Sequence, residues 1–169
     1  MLDEAYAEFS QIRGATHLME KFPHVLSSRT MSKAFAFAGV RLGYLVAHPS
    51  MIEAALITRL PYHLSALTQA AAEVALDHAS LLQRGISELL SEREVVSQGI
   101  RSVGWQVLES SANFLLFSGF SKSSTEIWQG FLDRGILIRN IGLEGYLRVT
   151  IGTPAENQRF LAALSEIAQ

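Results

Sequence analysis

The sequence predicts an α/β chain built in two parts, and three observations carry that prediction. Two short runs, the β-prone Val25 to Ser28 and Leu42 to Ala47, which is rich in apolar residues without alternation, look like buried strands of an α/β sheet. A stretch from Leu82 to Val103 then repeats apolar or aliphatic-stemmed residues in steps of four and three, and after it the rhythm shortens to brief strands and helices.

Taken in order, Val25 to Ser28 leads into Arg29-Thr30-Met31-Ser32-Lys33, and Leu42 to Ala47 follows as a second buried strand. Ser50 with Glu53 has the spacing of a capping box, so a helix is expected to open there. Ser65 is expected to cap a helix running through the alanine-rich stretch to about His78. Leu82, Ile86, Leu89, Arg93, Val96, Ile100 and Val103 form one stripe of a long amphipathic helix ending at Gly104, and a helix of that kind can bridge two domains. The boundary is placed within it, near Ser80 to Glu92, giving parts 1–85 and 86–169. Beyond it, strands are expected at Gln106 to Leu108, Asn113 to Phe117, Ile136 to Arg139 and Tyr146 to Ile151. A helix is expected from Ser124 to Arg134, boxed by Ser123 and Glu126 and stopped by Gly135. Thr153-Pro154-Ala155-Glu156 combines an N-cap, a proline at the first helical position and a carboxylate at the third.

Composition narrows the function classes. With 169 residues, 49% of them hydrophobic, the chain can bury a core. A formal charge of -2 and the lack of a Lys/Arg block argue against nucleic acid or an anionic membrane as partner and leave small molecules and proteins. There is no cysteine, hence no disulfide framework or thiolate metal site. The five histidines show no H-E-x-x-H or H-x-H spacing, and no metal is assigned. The N-terminus lacks a basic region followed by an apolar stretch, and the longest apolar run, Ala34 to Val40, is far short of a membrane span, so a cytoplasmic location is expected.

The chemistry is concentrated around Lys33, one of only three lysines. Thr30 and Ser32 offer hydroxyls just before it, and Arg41 follows eight residues later among Gly39 and Gly43. A hydroxyl and a guanidinium hold a phosphate dianion by charge-assisted bonds, while the amine between them reaches a carbonyl carbon. Such a group of residues suits a ligand that is both phosphate and aldehyde. Near the other end, Arg148 sits within the β-branched and apolar run Tyr146 to Ile151, where an inward guanidinium is costly unless an anion meets it.

Ser32-Lys33 followed by Ala38-Gly39, Arg41 and Gly43-Tyr44 makes the pattern S-K-x-x-x-x-A-G-x-R-x-G-Y, which resembles the Schiff-base lysine motif of fold-type I aminotransferases. The resemblance extends over essentially the whole chain. Arg59-Leu60-Pro61-Tyr62-His63-Leu64-Ser65, Ala112-Asn113-Phe114 and Gly152-Thr153-Pro154-Ala155-Glu156-Asn157 make it closer to histidinol-phosphate aminotransferases than to aspartate or aromatic ones. It implies that Lys33 bonds pyridoxal 5'-phosphate and shuttles a proton between the substrate's α-carbon and the cofactor. Ser32 and Arg41, with Thr30 a weaker candidate, are implied as phosphate ligands. Asp3-Glu4-Ala5-Tyr6, thirty residues upstream of Lys33 at its first member, fits any acidic loop on its own. Beside the lysine motif it resembles the D-E-x-Y segment of the same family, which implies Asp3 on the pyridine nitrogen and Tyr6 on the ring's phenolic oxygen.

The same resemblance makes Arg148 the arginine for a substrate α-carboxylate. Arg139 is either an exposed strand-end arginine or a second substrate arginine, for the phosphate of histidinol phosphate or the distal carboxylate of glutamate. Tyr62 and His63 are read as core or interface packing in preference to a place near the substrate, and are left out of the site. The implied activity moves an amino group between histidinol phosphate and 2-oxoglutarate in histidine biosynthesis, by a homodimer. The alternatives are a threonine-phosphate decarboxylase of the same fold and a non-catalytic remnant. The resemblance further implies that 1–85 is the end of the large cofactor-binding domain and 86–169 the small C-terminal domain. Only Met1 and Leu2 precede Asp3, where a sheet strand usually has about five residues. The family's phosphate-cradling loop and ring-stacking aromatic are thus expected outside this polypeptide, which alone should bind cofactor weakly.

Overall fold

In the computed structural model the described residues are 1–169 except Gln11 and Arg13, with Leu82 described by its backbone alone. The chain folds into two compact units, Met1–Ile86 and Ser87–Gln169.

The first unit holds a three-stranded sheet of β1 (Leu2–Asp3), β2 (Leu26–Thr30) and β3 (Gly43–Ala47), in that order. β1 runs parallel to β2, with Asp3 opposite Ser28, and β3 runs antiparallel to β2, with Thr30 opposite Gly43. The expected strands are present, but β3 is not buried on both faces. It is an edge strand, and Tyr44 and Leu45 are each 43% exposed. Two helices follow, α1 (Pro49–Thr58) and α2 (Ala66–Asp77). Ser65 caps α2 through the Thr68 amide as expected. The capping box at Ser50 and Glu53 does not form. Pro49, whose ring presets a helical φ, takes the first position, and the His48 ring accepts the Ser50 amide.

The long helix α3 (Ala79–Ser102) begins in the first unit and continues in the second. Gly104 closes it with φ +84°. The side chain of Leu82, first of the expected stripe, lies outside the described residues. Within the second unit Val96 and Ile100 of that stripe are fully buried, and Arg93 lays its stem inward and donates from Nη1 to the Ala112 carbonyl at 2.8 Å.

The second unit carries a four-stranded antiparallel sheet, β4 (Gln106–Val107), β5 (Phe114–Ser118), β7 (Tyr146–Thr150) and β6 (Arg139–Asn140) in spatial order, with helices α4 (Ser124–Asp133) and α5 (Pro154–Ile167). One hydrophobic core joins Val96 and Ile100 to Phe117, Ile127, Phe131, Leu147, Phe160 and Leu164. Trp105 stacks on Phe117 and Phe131 on Phe160, with ring planes 7° and 9° apart. Both predicted capping boxes are formed, Ser123 with Glu126 and Thr153 with Glu156.

The strand expected at Ile136 to Arg139 is displaced. Gly135 adopts φ +69°, and the Gly135 and Ile136 amides bond back to the Leu132 and Phe131 carbonyls, so the chain is still finishing α4. The Ile138 carbonyl accepts from the Trp128 indole at 3.0 Å, and β6 therefore opens at Arg139, where the strand was expected to end. No helix among the described residues is long and apolar enough to cross a membrane.

Candidate active site

Two groups of predicted residues lie in the two units, and each is built by its own sheet. In the first unit the loop after β2 is pinned at its mouth. The Met31 amide and the Thr30 hydroxyl both donate to the Leu42 carbonyl, at 3.1 and 3.2 Å. Thr30 Oγ1 also accepts the Ser32 amide at 3.1 Å, so its hydroxyl is engaged in closing the loop. Inside it, the Ala36 amide bonds the Lys33 carbonyl and the Phe37 amide the Met31 carbonyl. Ala36 and Arg41 both take left-handed backbone, at φ 53° and 61°, a conformation costly for residues with a Cβ and concentrated at functional sites.

Lys33 is exposed, and its Nζ lies 5.7 Å from the centre of the Tyr6 ring. The sheet thus brings together two of the predicted residues from segments far apart in sequence. Arg41 is exposed and donates from Nη1 to the Ala38 carbonyl at 2.9 Å, a partner separate from that of Lys33. Asp3, at the end of β1, is exposed, with its carboxylate accepting the Ala5 amide at 3.0 Å.

Sequence reasoning passed over the group that holds this segment. The Glu4 carboxylate accepts the Ala15 amide at 2.6 Å, the Ser27 hydroxyl in a short bond, and Nε and Nη2 of Arg29 at 3.2 and 3.1 Å. Burial alone would raise the Glu4 carboxyl, but the bonds from Ser27, Ala15 and Arg29 outweigh it and hold it below the usual range. For Arg29, burial favours the neutral form, and Glu4 and the Tyr44 phenol reverse that and keep it cationic. The only sequence signal was a carboxylate and an arginine in short segments; the β1–β2 register is what brings them together.

In the second unit Arg148 lies on the face of β7 away from the core. Leu147 and Val149 are buried on one face of β7, and Arg148 lies half-buried on the other. Its guanidinium carbon sits 4.8 Å from the centre of the Phe114 ring, and its Nε is buried with no hydrogen-bond partner among the described residues. Arg139 is exposed and stands directly opposite Arg148 in the β6–β7 ladder, so both side chains leave the same face. Like charges opposite one another destabilise a sheet unless an anion lies between them. This face therefore carries two cations side by side, with no anionic side chain paired to them among the described residues.

Of the first group the structure brings together Lys33 and Tyr6, while Asp3 and Arg41 are exposed and bonded to backbone groups near them in sequence. The second fits the acid groups of an amino-acid-like substrate. The chain belongs to the aminotransferase class I and II family, whose model matches residues 1–164. Among its relatives is the histidinol-phosphate aminotransferase of Rhodococcus opacus, 53% identical over 169 residues, covering 99% of this chain and 44% of that protein. The chain spans about half the length, or 44 to 46%, of the curated relatives it matches.

Among solved structures, the histidinol-phosphate aminotransferase of Sinorhizobium meliloti, in complex with pyridoxal-5'-phosphate, superposes with a TM-score of 0.87 at 28% identity. The match covers 99% of this chain and 48% of that one. L-threonine-O-3-phosphate decarboxylase of Porphyromonas gingivalis gives 0.85 at 26% identity, over 98% and 53%. The fold class expected from the sequence, the C-terminal part of a fold-type I enzyme, is the one found.

Proposed function

We propose that this chain carries the catalytic lysine and the substrate arginines of a histidinol-phosphate aminotransferase that uses pyridoxal 5'-phosphate to move an amino group between histidinol phosphate and 2-oxoglutarate. The observation that carries the reading is the 53% identity along 99% of the chain to a relative of that name, with Lys33 set over Tyr6. In this reading 1–85 closes the cofactor-binding domain, 86–169 is the small domain, and the working enzyme is a homodimer.

The cofactor supplies an electron-withdrawing ring that lets a proton leave the carbon bearing the substrate's amine. Lys33 would hold the cofactor's aldehyde carbon until the substrate's amine displaces it, and its freed Nζ would then take that proton and return it on the other side of the exchange. Asp3 would take the ring nitrogen and keep it protonated, since a nearby carboxylate favours the cationic form. Tyr6 would donate to the ring's phenolic oxygen. Ser32 and Arg41 would hold the phosphate, with Thr30 shaping the loop that presents them. Arg148 grips the α-carboxylate of glutamate and 2-oxoglutarate as a planar fork. Arg139 meets the distal carboxylate or, in the other half-reaction, the phosphate of histidinol phosphate.

The complete gene product is assayed with histidinol phosphate and 2-oxoglutarate, then treated with borohydride in the presence of cofactor and digested. Glutamate formation, with the reduced adduct on the peptide containing Lys33, is expected. An adduct only at Lys21 or Lys122, or none at all, would sink the assignment. The likeness to a threonine-phosphate decarboxylase gives a second reading, and carbon dioxide release from phosphothreonine without glutamate formation would favour it.

A further inference from the structure

We propose that Glu4, gripped by Arg29, is a positioning residue: the pair clamps the Asp3–Tyr6 turn against β2 and so aims the residues on either side of Glu4 at the Lys33 site. The clamp rests on the reading of Asp3, Tyr6 and Lys33 given above.

Glu4 lies between the two predicted ring contacts. Its backbone amide extends the β1–β2 pairing by donating to the Ser28 carbonyl at 2.9 Å. Its two carboxylate oxygens then divide their work. Oε1 takes the Ala15 amide, and Oε2 takes Ser27 and the fork of Arg29. One side chain therefore ties three separate segments together. The side chains of Glu4 and Arg29 are only 13% and 21% exposed, and Ser27 is fully buried, so these bonds form with little competition from water. Packing around the pair is close. A Cβ on Gly14 would come within 2.6 Å of Arg29 Nη2 and 3.2 Å of Glu4 Oε1.

What separates positioning from plain stabilisation is where the clamp acts. The Ala5 amide next to Glu4 bonds the Asp3 carboxylate, the Tyr6 carbonyl accepts the Phe9 amide, and the Tyr6 ring lies under Lys33 Nζ. Fixing the middle of this four-residue turn fixes both of its ends. Arg29 also has a competing carboxylate, since Glu8 Oε1 is 3.7 Å from its Nη1. When Glu4 loses its charge, Arg29 turns to Glu8, and the side-chain hold on the turn is loosened while the Glu4 amide stays on Ser28.

The test compares Glu4→Gln, Ser27→Ala and Glu8→Gln in the complete gene product. Without cofactor, Glu4→Gln is expected to speed amide hydrogen exchange at Ala5, Tyr6 and Ala15 about tenfold and leave Phe114–Ser118 unchanged, the loss of a charged hydrogen bond being of that size. With pyridoxal phosphate, the same variant should bind about tenfold more weakly and shift the pH midpoint of the cofactor's absorption band. Ser27→Ala, which leaves the charge pair intact, should give a smaller change in the same direction, and Glu8→Gln none. Exchange that stays at the wild-type rate overturns the clamp. So does faster exchange across the whole of Met1–Ile86 with wild-type cofactor affinity and band midpoint, because that is loss of stability without loss of aim. Should the wild-type protein take up no cofactor at Lys33, the aminotransferase reading fails by itself, and the exchange pattern alone decides the clamp.

Discussion

Arg148 shows how much one side chain's role depends on its neighbours. Its charge is half-buried, its flat face rests on Phe114, and one nitrogen is hidden with no partner among the described residues. Lysine keeps the charge and loses both the fork and the flat face, so Arg148→Lys should raise the KM for 2-oxoglutarate about tenfold or more with a smaller change in kcat. Steady-state kinetics with the dicarboxylate varied would detect this, and an unaltered KM would remove Arg148 from the substrate site. Lys33→Ala should abolish turnover, with retained activity pointing to another base. Arg41→Ala should weaken cofactor binding, and an unchanged titration would take it out of the phosphate site. Lys33, Arg41 and Arg148 stand out in the sequence as candidates because each sits in a local pattern of glycines, hydroxyls or apolar neighbours. Glu4 and Arg29 do not, because their partnership exists only once β1 and β2 are in register. Phe114 escaped for the same reason: its contact with Arg148 crosses from β5 to β7.

Helix ends were the most readable elements. Ser123 and Thr153 each form the reciprocal pair that their spacing to Glu126 and Glu156 predicts. Replacing either with alanine should cost about 1 kcal/mol of stability, seen as a lower urea midpoint. The same boxes make stability depend on pH. The Ser123 hydroxyl and amide hold the Glu126 carboxyl below its ordinary value, and the Thr153 amide and hydroxyl do so for Glu156. A carboxyl lowered by folding contributes stability above its unfolded value and loses that contribution as pH falls through its folded one. Urea midpoints should therefore drop on acidification, and Glu126→Gln or Glu156→Gln should flatten the drop. Where element reading failed, a neighbour had claimed the backbone first. Pro49 opens α1 and puts its cap at His48, and the end of α4 at Gly135 and Ile136 delayed β6 to Arg139.

Across the whole molecule the two units are stabilised differently. The second closes a single aromatic and aliphatic core, whereas the buried apolar residues of the first are few and dispersed, Phe9, Ala15, Met31 and Ala72 among them. Amide exchange should accordingly be slower in β5 and β7 than in β2 and β3. Phe117→Ala, which empties the centre of the stacked rings, should cost about 3–5 kcal/mol, measurable by denaturation. The division into two parts was legible because the long 3.6-period stripe and the shorter rhythm after it are properties of sequence alone. The exposure of Tyr44 and Leu45 was not, because an apolar run says that a strand wants cover without saying on which side its neighbours lie. The outermost strand pair has one more consequence, for the solution around it. Two guanidinium groups facing each other across β6 and β7 gather counter-ions, so added salt should raise the melting temperature of this unit instead of weakening it. Sulfate should do so more steeply than chloride at equal ionic strength, and a flat response to both would mean that the two cations keep out of each other's field.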